Sequence, residues 1–258
     1  MPGFESFSVT SLIAIGIAVT LAGFIQGAIG FGFPFIATPV VAMVSDMRIA
    51  IITVLLPTLL TTVATLLSSG PIGATLARFW PMPIYAFLGA VAGTSVFVAA
   101  PGFPFQLVLA VIILVYLNLD RVTRGNWPTI RAHERAFAPV AGIAGGLFEG
   151  TANVAAPPLI IYYLALGLTP AMLVQAMQIC FVIGKTTQFA VLTTRGGVTW
   201  TQWAVTLPLA VTSIAGVVAG TRVRNRIDAI AFRRWVKRAL LAIALILLAQ
   251  YAYLGWFR

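Results

Sequence analysis

The chain has 258 residues, 60% of them apolar and only 9% charged, with a mean hydropathy of +1.01. So few charges could not cover the surface of a soluble protein, and several apolar runs are long enough to cross a hydrocarbon slab of about 30 Å. The formal charge of +10 does not point to nucleic acid, because eleven of the 16 Lys and Arg sit in two segments, Asp120 to Ala136 and Arg222 to Arg238, where they act as topology signals.

In chain order, the first apolar stretch runs from Val9 to Val44 and is interrupted by glycines, prolines and polar side chains. Only Glu5 precedes it, with no basic region, so a cleaved signal peptide is not expected. Ile49 to Leu67, Pro81 to Ala100 and Phe105 to Leu119 then read as spanning helices, the last gaining length if it begins at Gly102. After the basic segment comes a second broken stretch, Phe137 to Leu168. Its arms, Phe137 to Phe148 and Val154 to Leu168, would be about 18 and 22 Å long as helices. Neither arm crosses comfortably. A hairpin with its tip inside the protein is the simplest reading, since irregular backbone at membrane depth needs protein or a water-filled cavity around it. Two short, tilted spanning helices are the alternative. Ala171 to Leu192, Trp203 to Thr221 and Ala239 to Trp256 complete the spanning segments. With both basic segments cytoplasmic, the two termini face the periplasm.

A weak internal duplication runs through this order. Gly89-Ala-Val-Ala-Gly-Thr94 matches Gly216-Val-Val-Ala-Gly-Thr221, and Ala22, Gly23, Gly27, Ala37 and Pro39 match Ala141, Gly142, Gly146, Ala156 and Pro158. Behind the first hexapeptide the chain is uncharged, and behind the second it carries seven basic residues. Equivalent loops therefore fall on opposite sides of the membrane, the pattern of an inverted repeat with its binding site near the midplane. The expected fold is all-α: a polytopic membrane protein of two inverted-topology repeats, each a broken or re-entrant helical hairpin plus three spanning helices. Residues 1–119 form the first repeat, 120–136 a basic cytoplasmic connection and 137–258 the second repeat.

The stretch Gly23-Phe-Ile-Gln-Gly-Ala-Ile-Gly-Phe-Gly-Phe-Pro-Phe-Ile-Ala-Thr-Pro39 resembles the first signature of the TauE/SafE sulfite exporter family of anion permeases. Gly142-Ile-Ala-Gly-Gly146 and Ala156-Pro-Pro-Leu-Ile-Ile-Tyr162 look like its counterpart, with Glu149-Gly-Thr-Ala-Asn153 where a glycine-rich turn is expected. The resemblance covers nearly the whole chain. It implies a multi-pass protein of a bacterial inner membrane that exports a small organic or sulfur-containing anion, such as sulfite, sulfoacetate or another sulfonate.

Glycine-rich breaks expose backbone N–H groups and helix N-termini, which bind anions without a fixed charge. Gly27, Gly30, Gly32, Phe33, Pro34 and Thr38 are candidates in the first half, and Gly150, Thr151 and Asn153 in the second, with Gln26 adding a side-chain donor. The glycines have an equally good reading as helix-packing positions. Lys185 lies mid-helix, where an unpaired charge costs about 2.5 to 3.5 kcal/mol on insertion scales. It reads as an attractant for the anion, as the partner of Glu149, or as a snorkelling side chain. Gln178 and Gln188 could share its helix face. Glu149 is also the candidate for proton coupling.

Cys180 is the single cysteine and reads as packing, while His133 reads as solvated. Trp80, Trp127, Trp200, Trp203, Trp235 and Trp256 lie near segment ends, as interfacial anchors would. No catalytic set, cofactor motif or metal cluster is recognised, and an enzyme is not expected. The expected partners are a small anionic substrate and the lipid bilayer, without nucleic acid and with a homodimer left open. The function that follows is a secondary transporter working by alternating access, with an uncoupled anion channel as the alternative.

Overall fold

In an apolar slab each backbone N–H and C=O has to be bonded within its own segment, which makes a helix the default for every long apolar run here. The computed structural model describes residues 9–118, 127–224 and 229–256, and all regular structure among them is helical. The first half holds α1 (Val9–Ile29), α2 (Phe33–Val44), α3 (Met47–Leu67), α4 (Gly73–Phe79), α5 (Pro81–Ala99) and α6 (Phe105–Leu117). The second holds α7 (Trp127–Ala132), α8 (Glu134–Ala152), α9 (Ala156–Ala165), α10 (Pro170–Thr194), α11 (Trp200–Val205), α12 (Leu207–Val223) and α13 (Ala229–Trp256).

Four segments are long and apolar enough to cross a membrane: Thr10–Ile29, Met47–Leu67, Pro81–Ala99 and Trp200–Val223, the last made by α11 and α12 together. The protein is a multi-pass membrane protein. Helix α10 has 25 residues and ample length, but Gln175, Gln178, Lys185, Thr187 and Gln188 are buried along it. Helix α6 and the apolar part of α13, Leu240–Ala249, are shorter than a full span.

The breaks differ from the expected ones. Helix α1 has 21 residues and α8 has 19, about 32 and 28 Å long. Each break therefore comes at the far end of a nearly full-length helix, and the short arms are α2 and α9, with 12 and 10 residues. The glycines that suggested earlier interruption stay helical because they are packing positions. The basic segments also depart from loops. Residues 127–132 form α7, and α13 begins at Ala229, ahead of Arg233, Arg234, Lys237 and Arg238, since no breaker stands between them. The rest of the first basic segment, 120–126, lies outside the described residues.

Small residues set the two closest helix pairs. A Cβ on Gly23 or Gly27 of α1 would collide with the Ser213 or Val217 carbonyl of α12, and one on Gly216 or Gly220 with the Thr20 or Phe24 carbonyl of α1. Helix α8 meets α5 in the same way, through Gly146 on Ala86, Gly150 on Thr94, Gly89 on Ile143 and Gly93 on Leu147. Both pairs run parallel, and backbone contact this close is available only to glycine. The contacts superpose when Gly23 is set against Gly146 and Gly27 against Gly150. That is one helical turn beyond the sequence match of Gly23 with Gly142 and Gly27 with Gly146.

Helices α3 and α10 lie against each other and run antiparallel. At one end Arg48 Nη2 donates to the Gly196 carbonyl at 3.0 Å, and the guanidinium rests 5.9 Å from the centre of the Phe97 ring. At the other, Gln175 Nε2 donates to the Ser69 carbonyl at 2.8 Å while its Oε1 accepts from Thr75 Oγ1 at 2.5 Å. The pair is clasped at both ends.

Candidate functional site

The first break is built by Gln26. Helix α1 closes with Gly30 N–H on the Gln26 carbonyl at 2.7 Å, and the chain turns through Gly30 and Gly32, at φ 98° and 121°, a region open to glycine. The Gln26 side chain then accepts from Phe33 N–H at 3.1 Å and donates to Thr65 Oγ1 at 3.3 Å, pinning the start of α2 to α3.

The second break is built by Asn153, the single non-glycine among the described residues at positive φ (65°). Its N–H bonds the Glu149 carbonyl at 3.0 Å and Val154 N–H reaches back to Phe148 at 3.4 Å, so Asn153 occupies the left-handed position that ends α8. From there its Nδ2 donates to Thr38 Oγ1 of α2 at 2.8 Å. That bond ties the second break to the first. The first break is also tied to α10, where Gln178 Nε2 donates to the Gly30 carbonyl at 2.5 Å.

Between the breaks lies a small buried cavity with about 10 Å³ of room, enough for one water at most. Gly32, Pro34 and Phe35 line it from the first break and Val154, Ala155 and Ala156 from the second. Thr58 and Thr62 of α3 face it, as do Phe181 and Lys185 of α10 and Glu149 of α8. Thus α2 and α9 both present N-terminal ends here; neither is capped by its own N-cap residue, and Gln26 takes up the first N–H of α2. Such ends bring partial positive charge to the cavity.

Lys185 is 1% exposed and Glu149 2%, and the two form an ion pair. The ammonium also donates to Asn153 Oδ1, and lies 3.4 Å from the Asn153 carbonyl and 3.3 Å from Gln188 Oε1. Gln188 Nε2 in turn donates to the Glu149 carbonyl at 3.1 Å. Glu149 Oε1 takes no hydrogen bond besides its ion pair, and Gln178 Oε1 and Thr94 Oγ1 are buried without a partner. Snorkelling is therefore not what Lys185 does: its charge is met inside the protein.

The candidates named from sequence separate into three groups. Gly32, Pro34, Glu149 and Lys185 line the cavity, while Gln26, Gly30, Phe33, Thr38, Asn153, Gln178 and Gln188 hold its walls in place. Gly27 and Gly150 pack helices, and Thr151 bonds the Leu147 carbonyl of its own helix at 2.8 Å. The second half accordingly has no glycine cradle, because Glu149 to Ala152 remain helical. Thr58, Thr62, Phe35 and Phe181 were missed. The signal available for the threonines was Thr53, Thr58, Thr61, Thr62 and Thr65 recurring in one apolar span, all of them buried.

Cys180 is buried 3.5 Å from the Tyr163 hydroxyl, and His133 is exposed. Trp80 and Trp200 are 61% and 71% exposed, as anchors are, whereas Trp203 is buried and donates to Thr193 Oγ1 at 2.9 Å. Its place at the helix end is a packing one. The side chains of Trp235 and Trp256 lie outside the described residues.

Spanning helices enclosing a buried charge pair, with exposed apolar side chains around the outside, define a multi-pass membrane protein with a polar site at membrane depth. The family model for the sulfite exporter TauE/SafE matches residues 15–249, and the chain belongs to that family. No curated protein and no solved structure matches the chain.

Proposed function

We propose that the protein is a secondary transporter that exports a small sulfur oxyanion or sulfonate by alternating access, with Lys185 and the N-terminal ends of α2 and α9 forming the anion site. The observation that carries this reading is the small buried cavity at Lys185, walled by both chain breaks. A charge is kept at membrane depth where it serves a pathway, and a cation beside two helix N-termini suits an oxyanion.

Inverted repeats support alternating access, and three features favour them. Helices α3 and α10 hold equivalent places and run in opposite directions. The α1–α12 and α8–α5 contacts correspond residue by residue. Thr58 and Thr62 face the cavity from α3 as Phe181 and Lys185 do from α10, at the same spacing. A cavity this small, with separate clasps at either end of α3 and α10, suits a carrier better than an open pore. By the positive-inside rule the basic segments favour a cytoplasmic Ser69 end, and the bacterial inner membrane is the setting the family resemblance favours.

The test is a thermal-shift screen of purified protein against sulfite, sulfate, sulfoacetate, taurine and carboxylates, followed by flux measurement in proteoliposomes. Saturable counterflow of a sulfur anion is expected. Large unitary currents would instead make the protein a channel.

A further inference from the structure

Glu149 and Lys185 neutralise each other, and the other ionisable groups on the surrounding helices are engaged elsewhere. Helices α5, α6, α7, α9 and α10 pack on α8. From α10 comes Lys185, and also Cys180, which pairs with Tyr163 of α9. Tyr162 of α9 donates to the Glu134 carbonyl, Arg131 of α7 to the Ala165 carbonyl, and Tyr116 of α6 packs its ring on Phe35. Tyr85 of α5 touches Gly142, about two turns from Glu149, and Glu134 and Arg135 stand at the opposite end of α8.

The three hydrogens of Lys185 already have four oxygens within reach. An arriving anion must take a hydrogen from one of them. The amide oxygens of Asn153 and Gln188 are neutral, whereas Glu149 is repelled by the newcomer and so is the one to leave. The cavity would then hold a net negative charge in the apolar slab, which a cation has to cancel. A proton needs no coordination shell, and the carboxylate freed from Lys185 is itself a group that can take one.

We propose that Glu149 carries one proton with each anion: the anion displaces it from Lys185, the freed carboxylate takes a proton from the solution on the anion's side, and both cross together. On release the proton returns to water and the Glu149 to Lys185 pair re-forms, neutral, for the empty return. This rests on the anion-site reading above. It makes the transport of a monovalent anion electroneutral, and by linkage the anion and the proton raise each other's affinity equally.

Methanesulfonate is the probe, because its own charge is fixed near neutral pH, with sulfite beside it. On purified wild-type protein, calorimetry in buffers of different ionisation enthalpy should show one proton taken up per methanesulfonate bound. Affinity should rise by up to about tenfold per unit fall in pH. In proteoliposomes a potassium–valinomycin potential should leave wild-type methanesulfonate flux unchanged and drive the flux remaining in Glu149→Gln. Binding without proton uptake, wild-type flux that follows the potential, or flux that requires Na⁺ overturns the proton coupling and leaves the anion site standing. Binding of neither methanesulfonate nor sulfite overturns the anion site, and the coupling with it. The wild-type measurements decide the matter even if Glu149→Gln fails to fold.

Discussion

Lys185 shows how a single charge organises its surroundings. Once placed in the middle of α10 it requires an anion, and Glu149 supplies it from the last turn of α8. Asn153 and Gln188 then satisfy the remaining hydrogens and fix the second break. Removing one member leaves the other charged and alone, which for buried pairs costs about 3 to 5 kcal/mol, whereas replacing both with uncharged side chains of similar size is near neutral. Lys185→Met is accordingly expected to lose about that much stability in detergent, and Lys185→Met/Glu149→Gln to regain most of it. Neither variant should bind the anion. A thermal unfolding series with and without sulfite reads both outcomes. A double variant that binds like wild type would remove Lys185 from the anion site.

The pair could be read from the sequence because charges in apolar runs are conspicuous. The rest of the site could not. Thr58 looks like any membrane threonine bonding back to its own helix, as its hydroxyl does to the Val54 carbonyl at 2.6 Å, and only the fold turns it toward the cavity. Asn153 read as a donor for substrate, and its principal work is geometric: it takes the left-handed position and reaches across to Thr38.

At the scale of helices, small residues decide which pairs approach and polar clasps decide which ends stay shut. Gly23 and Gly27 of α1, Gly89 and Gly93 of α5, Gly146 and Gly150 of α8, and Gly216 and Gly220 of α12 lie against backbone, which cannot yield as a side chain can. Gly23→Ala and Gly146→Ala should each cost about 1 to 3 kcal/mol from overpacking, whereas Gly16→Ala, with open space at its Cβ, should not destabilise. Thermal melts of the three variants test this, and equal losses would refute the packing role. The same glycines explain why the sequence ends the first arm of the second break at Phe148, four residues before the helix does. Glycine in an apolar run signals either a turn or a close helix contact, and Gly145, Gly146 and Gly150 belong to the second kind.

The clasps on α3 and α10 make a separate prediction. Gln175→Ala frees the Ser69 end and Arg48→Ala the Gly196 end. Cys180 is the sole cysteine and is buried, so Thr62→Cys in a Cys180→Ala background gives a reporter at the cavity. A membrane-impermeant maleimide should react with it from opposite sides in the two variants and slowly in their parent. Reaction from the same side in both would show that the clasps are not separate gates.

For the whole molecule, the proposed inversion binds topology to mechanism. Two halves of opposite orientation that share one cavity can expose it to either side by exchanging conformations, because whatever one half does toward one face the other can do toward the opposite face. The sequence carried this as an asymmetry of charge behind two similar hexapeptides, yet its alignment of α1 with α8 was one turn short. Small residues recur every four positions along packed helices, so a shift of one turn still matches glycine to glycine, and contacts between helices are needed to choose. The arrangement fixes sidedness without reference to any substrate. Asp46 and Gly196 belong to one face, and Ser69 and Pro71 to the other with Gln175 near them. Single cysteines at 46 and 196 should therefore be labelled from one side of sealed vesicles, and cysteines at 69 and 71 from the other. The positive-inside rule makes the second side the cytoplasm. Labelling of 46 and 71 from the same side would break the antiparallel relation of α3 and α10, and the inverted repeat and alternating access built on it would fall together.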